Sequence, residues 1–115
     1  MSQIQILHNP RCSKSRQTLA LLEEQGVVPD VVLYLQSPLD EQQLKSLKEK
    51  LGFESVRQMM RTKETLYQSL NLAEASEAEL LTAIAENPKL LERPVVIHGD
   101  QARIGRPPEQ VLDIL

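Results

Sequence analysis

From Gln3 to Leu7 apolar and polar positions alternate around Ile4 and Ile6, and a period of two predicts a short strand. His8-Asn9-Pro10 breaks it. From about Ser13 the period becomes helical, with Leu19, Ala20, Leu21 and Leu22 forming the apolar face and Gly26 supplying the stop. Val31 to Leu35 is a continuous run rich in β-branched residues, which predicts a strand buried on both faces. Two strands joined through a helix are normally parallel, so the first third predicts one βαβ unit.

Ser37-Pro38-Leu39-Asp40 has the form of a helix start, with a serine cap, proline at the first helical position and an acid three residues past the cap. Leu44, Leu47 and Leu51 carry that helix's apolar face, and Gly52 ends it. Helical pattern continues with breaks from Val56 to Leu70. Ser76-Glu77-Ala78-Glu79 is a capping box opening a further helix, with Leu80, Leu81 and Ile84 inward and Asn87-Pro88 at its end. Val95-Val96-Ile97 predicts a strand, Gly99-Asp100 a turn, and Ala102 to Ile104 a hairpin partner. After Gly105-Arg106-Pro107-Pro108, a short amphipathic helix presents Val111, Leu112 and Leu115.

The order is β-α-β, a helical insert at roughly 38–91, then β-β-α. It predicts an α/β fold with a four-stranded mixed sheet flanked by helices, the thioredoxin-like arrangement with a helical insert, in one domain over 1–115. The length of 115 residues agrees with one domain. At 41% hydrophobic and 25% charged, the composition is that of a soluble globular protein. A net charge of -3 offers no global attraction to nucleic acid or an anionic membrane, and 3% aromatic residues offer no base-stacking platform. Met1-Ser2-Gln3-Ile4 has neither the basic nor the apolar stretch of a signal peptide, and no segment is apolar over the roughly 20 residues that span a bilayer. The single cysteine can form neither an intrachain disulfide nor a structural zinc site, and it suits a reducing compartment, so a cytoplasmic location without metal is expected.

That cysteine, Cys12, follows a strand and a proline-containing turn and just precedes the first helix. Unpaired N–H groups and the positive end of the helix dipole favour its thiolate there. A lone cysteine is often an inert buried side chain. Here His8, Arg11, Lys14 and Arg16 surround it in sequence, which favours a reactive thiol. His8 can support the thiolate as imidazolium or as a hydrogen-bond partner. Ser15 stands where a Cys-x-x-Cys motif would have its second cysteine, so an external thiol must resolve any adduct on Cys12. The Cys-x5-Arg phosphate loop is absent, because five residues of spacing lead to Thr18 and the arginine is Arg16. Arg61, Arg93 and Arg106 offer the planar donor fork that suits a tetrahedral oxyanion. Arg57 and Arg103 are expected on the solvated surface. Pro94, at the entry to a strand, is a candidate cis site, although only about 5–6% of such bonds are cis by default.

With these residues placed, the chain resembles the ArsC family of thioredoxin-like arsenate reductases that use glutathione and glutaredoxin. The resemblance runs through His8-Asn9-Pro10-Arg11-Cys12-Ser13-Lys14-Ser15-Arg16, Leu33-Tyr34-Leu35, Arg61, Glu92-Arg93-Pro94-Val95-Val96, Gly105-Arg106-Pro107-Pro108-Glu109 and Val111-Leu112-Asp113-Ile114-Leu115. It implies that Cys12 is the nucleophile, that His8 assists its ionisation and that Ser15 hydrogen-bonds near the thiolate. It makes Arg61, Arg93 and Arg106 the oxyanion site and Pro94 a cis-proline opposite the cysteine. It further implies arsenate as substrate, glutathione as co-substrate with no tightly bound cofactor, glutaredoxin as partner, and a role in arsenic detoxification. Ser13-Lys14 departs from the glycine and threonine often found after this cysteine, adding one positive charge.

Two rival functions remain at this level. A glutaredoxin-like thiol-disulfide oxidoreductase would not need the three arginines. An Spx-like transcription regulator without a redox switch shares the fold, and Ser15 removes the Cys-x-x-Cys switch that many of those regulators carry.

Overall fold

A computed structural model describes residues 4–115, so the readings placed on Met1, Ser2 and Gln3 lie outside the described residues. The chain falls into two compact units, one running through Ser37 and resuming at Arg93–Leu115, the other Pro38–Glu92.

The first unit holds the sheet. β1 (Ile4–Leu7) leads into α1 (Ser13–Glu24) and β2 (Asp30–Val32), and the chain later returns as β3 (Val95–His98) and β4 (Gln101–Ile104). Strand order is β2-β1-β3-β4. β1 and β2 are parallel, with Ile6 opposite Val31, while β3 runs antiparallel to both β1 and β4. This is the expected mixed sheet. Its core joins Ile6, Leu22, Val96, Val111 and Ile114, with Ile4, Leu19, Leu21 and Val27 packed around them. Burying a leucine such as Leu22 contributes about 1.5–3 kcal/mol, so this one layer is a major source of the unit's stability.

Two predicted elements of this unit differ in form. β2 is shorter than Val31–Leu35, because the carbonyl of Leu33 accepts from the N–H groups of both Gln36 and Ser37 and turns the chain away. It is also an edge strand, paired only with β1, and Val31 is 47% exposed where burial on both faces was expected. The final helix, Pro108–Ile114, is a 3-10 helix. Side chains then align every three residues, so Pro108, Val111 and Ile114 face inward while Leu112 and Leu115 are exposed. On α1 the buried positions are Ser15, Thr18 and Leu22, and Ala20 is exposed.

The second unit is helical. α2 (Glu41–Leu51) buries Leu44, Leu47 and Leu51 and packs against α4 (Glu77–Glu86), which buries Leu80, Ala83 and Ile84; Leu81 is only half-buried. Between them lie α3 (Thr65–Ser69) and short 3-10 turns at Val56–Met59 and Leu72–Glu74. The cap of α2 is Asp40 rather than Ser37: its side chain accepts from the Gln43 N–H at 2.8 Å, and Gln43 accepts from the Asp40 N–H at 2.9 Å. Gly52 closes α2 at φ 76°, a left-handed conformation open to glycine at no steric cost. The Ser76 capping box forms as expected. Arg57 is not a free surface residue. Its guanidinium donates to the Tyr67 hydroxyl at 3.0 Å and to the carbonyls of Leu72 and Ala75 at 3.1 Å, pinning three segments.

Candidate active site

The loop from His8 to Cys12 is shaped by its own short hydrogen bonds. The His8 N–H donates to the Val32 carbonyl at 2.9 Å, extending the parallel ladder one residue beyond β1. Asn9 then organises the turn: its carbonyl accepts from the Cys12 N–H at 2.9 Å and its Oδ1 from the Arg11 N–H at 3.0 Å. Its own N–H donates to Ser15 Oγ at 3.2 Å, and the Arg16 guanidinium caps the Pro10 carbonyl at 2.9 Å. These bonds leave Cys12 as the N-cap of α1 in extended backbone, φ -93° and ψ 124°.

The thiol is only 8% exposed, yet its surroundings favour the charged form. Burial pushes the Cys12 thiol up. The Ser15 N–H, the Arg93 charge, the Lys14 N–H and a hydrogen bond from Arg93 outweigh that, and hold it below its ordinary value. Arg106 completes the surroundings. Its Nη2 lies 3.9 Å from Cys12 Sγ, and its Nε donates to the Arg93 carbonyl at 2.9 Å. Arg93 Nε and Nη1 are buried and without a hydrogen-bond partner. Buried donors of a guanidinium without partners are costly, and an anion placed on them would remove that cost.

The other expected residues are placed as follows. Pro94 follows a cis peptide bond from Arg93, and Pro107 follows a second one from Arg106. Ser15 is fully buried; its backbone faces the thiol while its hydroxyl accepts from Asn9. His8 is 7% exposed, and burial first, then the Arg16 charge, lowers its pKa. Both causes disfavour the imidazolium form. Its Nδ1 is buried without a partner. Arg61 belongs to the second unit, where its Nη1 pairs with Glu64 at 2.9 Å and its Nε lies 3.7 Å from Glu92.

Two site-shaping residues escaped sequence reasoning. Gly105 donates its N–H to the Pro94 carbonyl at 2.9 Å, and a Cβ there would meet Thr18 Oγ1 at 2.5 Å and Pro94 Cγ at 2.9 Å. Thr18 is fully buried and donates to the Lys14 carbonyl at 2.8 Å. In sequence Gly105 signalled a turn only; the need for a missing side chain arises where three distant segments meet. Among the described residues no cluster of three His, Cys, Asp or Glu side chains could hold a metal ion, and no helix is long and apolar enough to cross a membrane.

Comparison with known proteins gives the same family as the motifs. A family model described as the ArsC family matches residues 7–114. The arsenate reductase of Haemophilus influenzae is 59% identical over 112 residues, covering 96% of this chain and 97% of the relative. An uncharacterized protein of Escherichia coli K12, YfgD, is 57% identical over 115 residues, covering 98% and 97%. Among solved structures, an arsenate reductase from Vibrio cholerae superimposes with a TM-score of 0.97 at 54% identity, covering 99% of this chain and 98% of its own. With its motifs, its mixed sheet and its relatives in agreement over nearly the full length, this chain belongs to the ArsC family.

Proposed function

We propose that this protein is an arsenate reductase in which Cys12 attacks arsenic and glutathione supplies the electrons. The observation that carries the reading is the Cys12 thiol held below its ordinary pKa, with the Arg106 guanidinium 3.9 Å from its sulfur and two buried Arg93 donors unpaired. Such a site attracts a tetrahedral oxyanion and presents a nucleophile to it. A disulfide substrate would leave the Arg93 donors unsatisfied, which favours arsenate over the thiol-disulfide alternative.

In the proposed reaction Arg93 and Arg106 orient arsenate, and the Cys12 thiolate attacks As(V). One arsenate oxygen takes up protons and leaves as water, giving a Cys12–S–As(V) adduct. Neutral His8 serves as a local proton acceptor when the thiol ionises. A glutathione thiolate then attacks the Cys12 sulfur; the S–As bonding pair stays with arsenic, which leaves as arsenite, and a Cys12–glutathione disulfide remains. Glutaredoxin takes the glutathione and returns the Cys12 thiolate. Because Ser15 replaces a second local cysteine, both later thiols come from outside the chain. The share of Arg61 rests on the resemblance alone, and a cytoplasmic location follows from the reducing partners the reaction needs.

The test is arsenate-dependent NADPH oxidation coupled through glutathione, glutaredoxin and glutathione reductase. Wild type is expected to turn over and Cys12→Ser to be inactive. Absence of wild-type turnover with verified coupling proteins would sink arsenate as substrate.

A further inference from the structure

The buried face of α1 opens on two hydroxyl side chains, Ser15 and Thr18, before it reaches Leu22. Ser15 serves the turn, where its Oγ accepts from the Asn9 N–H at 3.2 Å. The Thr18 hydroxyl has no part in the chemistry described so far. It is fully buried and donates to the Lys14 carbonyl at 2.8 Å. That carbonyl stands where the helix brings it the Thr18 N–H as well, so the hydroxyl is a second donor on one oxygen.

The Lys14 carbonyl and the Ser15 N–H are the two ends of one planar peptide group. Ser15 is the third residue of a helix capped by Cys12, so its N–H has no intrahelical acceptor and is turned toward the cap side chain. The thiol closes no capping bond there. Against the burial that disfavours it, however, the thiolate draws more from this N–H than from any other group. A hydrogen bond on an amide oxygen makes the N–H of the same amide a better donor, by about 10–30% per bond in a chain.

The same side chain touches the support of both arginines. A Cβ on Gly105 would meet Thr18 Oγ1 at 2.5 Å, Thr18 Cγ2 at 3.1 Å and Pro94 Cγ at 2.9 Å. Gly105 and Pro94 are themselves joined by the 2.9 Å bond from the Gly105 N–H, and they directly adjoin Arg106 and Arg93 in sequence. Valine has the same shape as threonine and would fill this space, so packing alone does not call for a hydroxyl.

We infer that Thr18 is a positioning residue for Cys12: its hydroxyl polarises the Lys14–Ser15 peptide and strengthens the Ser15 N–H that faces the sulfur. Arg93, before β3, and Arg106, after β4, act on the thiol directly. They and His8, which follows β1, are untouched by a change at position 18 that keeps its shape. The inference rests on the reductase reading only for its consequence in turnover.

The test uses the sole cysteine as its own probe. In protein labelled with ¹³Cβ-cysteine, NMR reads the pH midpoint of Cys12 for wild type, Thr18→Val and Thr18→Ser, without arsenate. Thr18→Val removes the donor and is expected to raise the midpoint by about 0.3 pH unit. Thr18→Ser keeps the donor and is expected to stay within about 0.1 unit of wild type. An unchanged midpoint in Thr18→Val, or an equal rise in both variants, overturns the relay. In the wild type the Thr18 resonances must titrate together with Cys12; if they stay still the relay fails, whether or not Thr18→Val folds. In coupled turnover below the wild-type midpoint, Thr18→Val is expected to lose roughly twofold in kcat/KM and to regain it as pH rises. A wild type that never reduces arsenate sinks the reductase reading, while the titration still decides the role of Thr18.

Discussion

At the scale of single residues, the thiol is governed by a contest between burial and donors. Arg93 contributes both charge and a hydrogen bond to the Cys12 thiolate. Replacing it with alanine is expected to move the pH midpoint of iodoacetamide alkylation upward, toward the free value of about 8.5, from a wild-type midpoint below it. A wild-type midpoint at or above 8.5 would remove the activation argument. Gly105 offers a second residue-scale test. Its absent side chain leaves room for Thr18 Oγ1 and Pro94 Cγ, so Gly105→Ala must displace one of them. A stability loss of about 1–3 kcal/mol in urea unfolding is expected, since overpacking a close contact costs that much. An unchanged midpoint of unfolding would show that the neighbours yield freely.

At the scale of elements, local signals were legible and long-range ones were not. The Ser76 capping box and the Leu44, Leu47 and Leu51 face depend only on neighbours in sequence, and both appear as read. At the start of α2 two caps compete within four residues. Ser37 with Pro38 reads well, but Asp40 has Gln43 to complete a reciprocal pair, and that pair forms. Asp40→Ala is therefore expected to cost about 1 kcal/mol and Ser37→Ala less than about 0.5 kcal/mol, measured by thermal or urea unfolding. The reverse order would restore Ser37 as the cap. The length and exposure of β2 depend on which strands pair with it, and no residue within Val31–Leu35 records that it lies at an edge. Arg57 likewise meets Tyr67, Leu72 and Ala75 only after the second unit folds. In the candidate site, Cys12 at a helix start was readable from its neighbours. The Arg106 partner lies 94 residues away and was accessible only through a family motif.

At the scale of the whole molecule, each unit carries its own acid-sensitive group. His8, in the first, has a folded pKa lowered by burial and then by Arg16. The unfolded chain protonates near pH 6.5 while the fold resists, so stability falls as pH drops below about 6.5 and through the folded value. Glu77, in the second unit, is held low first by the Val56 N–H and then by the Ser55 hydroxyl. Its contribution is present above the unfolded carboxylate pKa of about 4.3 and is lost as pH falls through the lower folded one. Melting temperature against pH should thus decline in two windows. His8→Gln should flatten the upper window and Glu77→Gln the lower. A melting temperature that stays level from pH 7 to 5 would contradict the buried neutral histidine.

The 94-residue separation of Arg106 from Cys12 also has a meaning in time. On a ribosome moving at about 5–20 residues per second, Arg106 follows the cysteine by roughly 5 to 20 seconds. For most of that interval, until Arg93 is added, the nascent thiol can have at most its own helix end beside it, from Ser15 and Lys14, and neither of the guanidinium groups. Full reactivity thus arrives with the closing hairpin, and an unfinished chain is spared the chemistry of the finished one.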